Sequence, residues 1–339
     1  MNARHEKLNP NTLLKRSVST SMERREAFLG LKMWHTTHAA GSILILALVG
    51  LGILLRITQY DTEGWLLAFY YATPWPVLAA VAGITALVCG TYRSFGLCFV
   101  ATVICLGCAL TWLGSSWKAN RPAYTSAPPA RFVYWNAAGP QQRAGKVMAH
   151  ARAFDADFLA IGEAGLGTEE VLSRWRSTFK EQTVTRLSGE MLIATSGSLR
   201  STRCGSLNQH GYYNSVELEL QGRRLRVLLV DFDADATRSR RAAFNALHQI
   251  ATAHVDEPLL VMGDFNTPAD SRHFHHLRGV LRDAWASAGS GFSETWPVPL
   301  PVLRLDHIWV SPDVCPTSFR MDWSFLSDHR AQILEVVLP

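Results

Sequence analysis

Pro258-Leu259-Leu260-Val261-Met262-Gly263-Asp264-Phe265-Asn266 is the stretch whose reading decides the fold. Its first five residues form an uninterrupted apolar run of strand length, and a Gly-Asp-Phe-Asn tetrapeptide closes it. A short apolar run bounded by turn residues reads as a buried strand. Asp264 and Asn266, two apart at the end of that strand, point to the same side and can reach one phosphate together. Gly-Asp-x-Asn is also an ordinary turn sequence, so the functional reading needs companions elsewhere in the chain.

Three companions are present. Arg304-Leu305-Asp306-His307-Ile308 opens a later strand, Ser327-Asp328-His329-Arg330 precedes the last one, and Asn136 and Glu163 end two earlier ones. The pattern predicts strands over Phe132–Asn136, Asp157–Glu163, Met191–Thr195, Ser215–Leu220, Leu225–Phe232, Leu259–Asn266, Asp306–Ser311 and Ala331–Leu338. Gln221-Gly222-Arg223 marks a hairpin turn between two of them. Helical apolar spacing covers Lys146–Phe154 and Ser239–His254. Strands interspersed with helices indicate a layered α/β domain.

On these residues the stretch 131–339 resembles the endonuclease/exonuclease/phosphatase superfamily. These metal-dependent phosphoesterases include abasic-site endonucleases, pancreatic-type deoxyribonucleases, sphingomyelinases and inositol-polyphosphate phosphatases. The resemblance implies a four-layer α/β sandwich, two packed and mainly antiparallel sheets flanked by helices. It also implies roles. Glu163 matches a Mg²⁺ ligand, with Asn136 positioning it and Asp328 close by; Mn²⁺ and Ca²⁺ are the other cations that such an oxygen set takes. Asp264 matches the residue that orients and deprotonates the attacking water. Asn266 matches a carboxamide donor to the phosphoryl oxygen, His329 the phosphate-facing imidazole, and Asp306 the carboxylate that orients it. Such groups serve phosphodiester hydrolysis because the reaction needs an activated water and donors aimed at developing charge.

One position departs from the resemblance. Where the family often ends a strand on a phosphate-contacting His, this chain reads Val230-Asp231-Phe232-Asp233. A carboxylate repels phosphate unless a cation offsets it, so Asp231 is either a further metal contact or a strand-end acid. Arg238, Arg240 and Arg241 follow closely; they are either the solvated start of a helix or the source of one phosphate contact. His273, His275 and His276 have the look of a metal cluster but read as surface residues.

The N-terminal third differs in kind. Residues 36–55, 64–92 and 94–117 contain no Asp, Glu, Lys or Arg, and each is long enough to cross a hydrocarbon core of roughly 30 Å as a helix. Thr73-Pro74-Trp75-Pro76 interrupts the second run, so a helix is expected to start near Pro76. The chain therefore divides into a basic N-terminus (1–35), about three transmembrane helices (36–117), a Pro-containing linker (118–130) and the phosphoesterase-like domain (131–339). The net charge of +5 does not point to nucleic acid, because residues 121–339 hold 23 basic and 23 acidic side chains. The surplus lies in residues 1–120, and the basic cluster before the first apolar run puts the N-terminus in the cytoplasm by the positive-inside rule. Three crossings would then place the domain outside it, on a bacterial-type inner membrane. Only Cys204 and Cys315 lie in the domain, as two free thiols or one disulfide.

Three functions are open to such a chain. The first is a membrane-anchored, Mg²⁺-dependent, nuclease-like phosphodiesterase. The second is a lipid or head-group phosphodiesterase of the sphingomyelinase type. The third is a catalytically degenerate binding domain. The substrate is a phosphodiester, either nucleic acid or a phospholipid head group, and no protein partner is inferable.

Overall fold

The computed structural model describes residues 36–59, 63–120, 123 and 127–339. The basic run read over 1–35 lies outside them. The chain forms two compact units by contact. Of the described residues, one holds those from 36 to 51 together with Leu78–Cys108, and the other holds those within Gly52–Val77 and Ala109–Pro339.

Two helices, α1 (Thr36–Ile57) and α4 (Phe95–Ser116), are each long and apolar enough to cross a membrane. Between them α2 (Trp65–Ala72) and α3 (Trp75–Thr91) meet at a bend of 75° and make a third candidate span if taken as one. The bend falls at Thr73-Pro74, where the proline ring removes an N–H and drives the residue before it out of helical conformation. Within the first unit small residues let the helices approach closely. Ala82, Cys89, Ala101 and Cys108 are buried, and a Cβ added at Gly83 would lie 3.2 Å from the Cys105 sulfur. Ile43, Leu44, Ile84, Leu87 and Phe99 are exposed, as suits side chains that face lipid rather than water.

The second unit is built on two sheets. Its strands are β1 (Trp117–Ala119), β2 (Ala130–Asn136), β3 (Phe158–Gly162), β4 (Thr183–Arg186), β5 (Leu192–Thr195), β6 (Ser198–Ser206), β7 (Gly211–Leu220), β8 (Arg223–Phe232), β9 (Leu259–Asp264), β10 (Arg282–Asp283), β11 (Gly289–Phe292), β12 (Asp306–Val310), β13 (Cys315–Met321) and β14 (Gln332–Val337). One sheet runs β1-β11-β13-β14-β2-β3-β5-β4 and the other β10-β12-β9-β8-β7-β6. Pairing is antiparallel except for β2 with β3, β8 with β9 and β11 with β13.

Strand alternation makes the layers. Phe132 and Tyr134 of β2 enter the core between the sheets, where they meet Leu229, Met262 and Ile308. Val133 and Trp135 face the other way, onto α5 (Ala144–Arg152) and α6 (Glu169–Thr178), against Val147, Met148 and Trp175. In the second sheet Leu228, Val230 and Val261 face outward onto α7 (Arg241–Thr252) and α8 (Phe274–Arg278), against Phe244, Leu247 and Phe274. The result is a helix–sheet–sheet–helix sandwich.

Three details differ from the sequence reading. The stretch 118–130, read as a linker, supplies most of β1 at a sheet edge, and Ala123 donates its N–H to the Thr317 carbonyl. Cys204 and Cys315 are unpaired and exposed rather than bridged or buried, because they lie on strands of different sheets. His273 is buried, stacked on Phe244 at 5.5 Å, whereas His275 and His276 are exposed.

Candidate active site

The topology brings the candidate residues to one end of the sandwich. In the parallel pair β2–β3, Asn136 lies opposite Gly162, so Asn136 and the adjacent Glu163 leave their strands together. In the parallel pair β8–β9, Asp231 lies opposite Asp264. The antiparallel β12 begins at the same level, with Asp306 opposite Asp264. His329 sits just before β14, which runs antiparallel to β2. Gly263 permits this crowding. Its φ is 154°, and a Cβ there would lie 1.9 Å from the Val230 carbonyl oxygen. No residue with a side chain fits that strand crossing.

The side chains form one network. The Asn136 carboxamide donates to Glu163 (2.9 Å) and to Asp264 Oδ2 (3.1 Å), while its Oδ1 accepts from the Ala138 N–H at 3.0 Å. Asp264 Oδ1 accepts the Asn266 backbone N–H at 2.8 Å. His329 Nδ1 and Asp306 Oδ2 lie 2.8 Å apart, and His329 Nε2 is 3.9 Å from Asp264 Oδ2. Ser327 holds the approach, donating to the Asn136 carbonyl (2.7 Å) and accepting from the His329 N–H (3.0 Å). Glu163 (φ 46°) and Asn266 (φ 44°) are in the left-handed region, a conformation that is strained for side-chain-bearing residues and concentrates at functional sites.

Electrostatics follow from this crowding. Burial, reinforced by the Asp306 charge, pushes Asp264 up to about 7, against the pull of His329 and the Asn266 amide. Burial also raises Asp231 to about 6, although the Tyr212 hydroxyl hydrogen-bonds its carboxylate. For His329, burial opposes the charge, but the neighbouring Asp306 carboxylate wins and raises the imidazole to about 10. At neutral pH His329 is therefore an imidazolium with Nε2 free to donate.

The donor set fits a hard divalent cation. Ligand atoms of Asp264 and Asp306 lie within 4.8 Å of one another, and Asp306 Oδ1 is buried with no hydrogen-bond partner among the described residues; the charged His329 ring beside them donates from both nitrogens and offers the cation no lone pair. Neighbouring carboxylates that resist ionisation gain most from a nearby positive charge. Asp328 stands slightly apart. It is exposed, and its Oδ2 accepts from the Trp296 indole N–H at 3.1 Å.

Other residues fall differently from their sequence reading. Asn266 turns its carboxamide back onto the Phe232 carbonyl at 2.9 Å. Asp231 faces the site, and Asp233 pairs with Arg238 at 3.1 Å. Arg240 is fully buried and spends its guanidinium on the Asp235 and Arg238 carbonyls, both at 2.9 Å. The sequence reading did not single out Tyr134, whose buried hydroxyl has no partner and lies below the carboxylates, or Tyr212, which holds Asp231. Each is an aromatic in an apolar strand, so its only signal is a hydroxyl where the packing pattern asks for a Phe.

Comparison with known proteins agrees with this geometry. The model of the endonuclease/exonuclease/phosphatase family matches residues 133–329, more than half of the chain. The uncharacterized protein YbhP of Escherichia coli (strain K12) is 35% identical over 86 residues, which is 24% of this chain and 34% of YbhP. The match thus spans about a third of the length of that curated relative. Among solved structures, the endonuclease/exonuclease/phosphatase from Bacteroides vulgatus superposes with a TM-score of 0.53 at 17% identity, covering 63% of this chain and all of that one. A Bacteroides thetaiotaomicron mannosyl-6-phosphatase gives 0.51 at 14%, covering 62% and 100%. D. rerio TDP2 complexed with a single-strand DNA product gives 0.52 at 15%, covering 62% and 99%. At these identities the superpositions speak for the shared sandwich.

Proposed function

The chain belongs to the endonuclease/exonuclease/phosphatase family, and from that premise we propose that it is a membrane-anchored, Mg²⁺-dependent phosphodiesterase. One observation carries the reading: Asn136, Glu163 and Asp264 share hydrogen bonds at one end of the sandwich, Asp306 and His329 share another there, and His329 Nε2 lies 3.9 Å from Asp264. A bound Mg²⁺ would neutralise charge on the phosphoryl oxygens and favour the ionised carboxylates. Glu163, hydrogen-bonded to Asn136, would hold the cation, with Asp328 and Asp231 as further carboxylates.

The remaining steps belong to the protein. Asp264, with Oδ1 fixed by the Asn266 N–H, turns Oδ2 toward the space beside His329. There it orients a water and takes its proton; a carboxylate raised to about 7 is matched to that task near neutral pH. His329, kept charged by Asp306, donates from Nε2 to the phosphoryl oxygen as charge builds there. Asn136 links the cation-holding and water-orienting carboxylates, so both keep one geometry.

The apolar helices support membrane anchoring. Trp323 and Phe325, exposed on the segment leading to His329, support a second reading for the substrate, because they suit a lipid surface as well as a nucleobase. The test uses the detergent-solubilised full chain on bis(p-nitrophenyl) phosphate, single-stranded DNA, RNA and sphingomyelin, with Mg²⁺ or with EDTA. Turnover should vanish with EDTA and fall at least about tenfold in Glu163→Gln and about 100- to 10,000-fold in Asp264→Asn. Full activity in EDTA or in Asp264→Asn would defeat the proposal. No turnover of any substrate would favour the degenerate binding domain.

A further inference from the structure

The end of α1 and the α2 segment that follows it grip the catalytic loop. The Tyr71 hydroxyl donates to the Asn266 carbonyl at 3.1 Å. Four residues further along the same loop, Asp270 is held twice, by Arg56 Nη1 (2.6 Å) and by the Tyr70 hydroxyl (2.8 Å). Arg56 is in turn fixed by the Thr73 and Tyr70 carbonyls, both at 2.7 Å, and lies 4.4 Å over the Tyr70 ring. Arg56 is 4% exposed and Tyr70 is fully buried. Arg56 and Asp270 also line a cavity of about 240 Å³ with Pro74, Trp75, Arg278 and Glu294. The named polar bonds therefore hold the loop at the wall of a cavity.

These bonds act on a strained point. Asn266 has φ 44°. In that conformation its N–H reaches Asp264 Oδ1 and its carboxamide reaches the Phe232 carbonyl. Its own carbonyl is left to Tyr71 and to the longer contact from Arg240 Nε at 3.4 Å. An unpaired carbonyl there would favour relaxation of the turn, and the N–H that aims Asp264 would move with it.

We propose that Tyr71 and the Arg56–Asp270–Tyr70 cluster are positioning residues for catalysis: the connection between the apolar helices braces the loop that carries Asp264 and Asn266. The proposal rests on the phosphoesterase reading for its kinetic consequence but not for its structural one. A domain cut at residue 131 would lack the brace, and would also lose the edge strand β1 and the first residue of β2.

The test uses the full chain in detergent, with Tyr71→Phe, Arg56→Met and the double variant Arg56→Met/Asp270→Leu. Hydrogen exchange of the 266–270 amides is read without substrate, and kcat and KM are read on bis(p-nitrophenyl) phosphate with Mg²⁺. Tyr71→Phe should lower kcat about three- to tenfold with KM unchanged within about twofold, since one neutral hydrogen bond is lost. Arg56→Met leaves Asp270 without its cation and should cost at least about tenfold in kcat, with loop exchange faster by a similar factor. The double variant should recover part of that loss, because no charge is then left unpaired. Wild-type exchange and wild-type kcat in both single variants would overturn the proposal. So would a loss of activity explained wholly by a smaller folded fraction. If the wild type itself turns nothing over, the phosphoesterase reading fails, and loop exchange alone decides the brace.

Discussion

Asp306→Asn separates the electrostatic role of Asp306 from its shape. Asparagine keeps an oxygen for the His329 Nδ1–H bond, now at 2.8 Å from the carboxylate, and leaves intact the bond from Gln332 to the residue-306 carbonyl. The ring should therefore stay in place while its counter-charge disappears. In the wild type His329 is raised from 6.5 to about 10 in spite of its burial. That shift corresponds to an advantage on the order of 5 kcal/mol for the charged ring. Without the carboxylate, burial is left to act with less opposition, and the ring should titrate near or below its ordinary value. The sign for stability follows. A raised histidine stabilises the fold fully below its unfolded value near 6.5, and that contribution is lost as pH rises through about 10. The variant should lack this alkaline limb. Activity at pH 7.5 should fall by about 100- to 1,000-fold, the usual cost of losing a transition-state donor. The assays are a histidine-selective NMR titration in EDTA, with His329 assigned by His329→Gln, and turnover of bis(p-nitrophenyl) phosphate. A His329 that still titrates near its wild-type value, or turnover within threefold of wild type, would refute the argument.

Two further outcomes can be checked. In EDTA the folded state holds protons on Asp264 up to about 7 and on Asp231 up to about 6, well above the ordinary carboxylate value. The metal-free protein should therefore lose stability as pH rises from about 4 to 7, and Mg²⁺ should restore more of it at pH 7.5 than at pH 5, as read by thermal unfolding; a pH-independent Mg²⁺ effect would contradict the assignment. For topology, a reporter fused after Pro339 should register as extracytoplasmic if a basic N-terminus precedes three crossings. An active cytoplasmic reporter would instead indicate that α2 and α3 re-enter without crossing.

Much of the site was legible because its signals are local. An apolar run ending in Gly-Asp-Phe-Asn announces a buried strand with polar groups at its tip, and Asp306 and His329 stand at or just before the start of two later apolar strands. The Asp231 and Asp233 pair shows where such reasoning stops. Strand alternation gives both residues the inward face shared by Leu229. The strand ends at Phe232, so only Asp231 keeps that face, and Asp233 turns to Arg238. Arg240 likewise reads as a charged residue at a helix start, yet it is buried on carbonyls brought together by the turn before α7.

The sequence by itself determined the division into apolar helices and an α/β domain, eight of the fourteen strands described, and the identity of the polar groups at their tips; β1, β4, β6, β10, β11 and β13 were not read from it. Periodicity, uncharged runs and turn residues are properties of consecutive residues, and they survive without a partner. The tertiary structure alone decided which tips meet. The parallel pairing of β2 with β3 and of β8 with β9, and the antiparallel entry of β12, put Asn136 within 3.1 Å of a carboxylate 128 residues away. It alone decided that Arg56, Tyr70 and Tyr71, written in an apolar connection, belong to the catalytic loop. Those contacts join residues about 200 positions apart, and no local pattern encodes a hydrogen bond whose acceptor, the Asp270 carboxylate or the Asn266 carbonyl, lies that far along the chain.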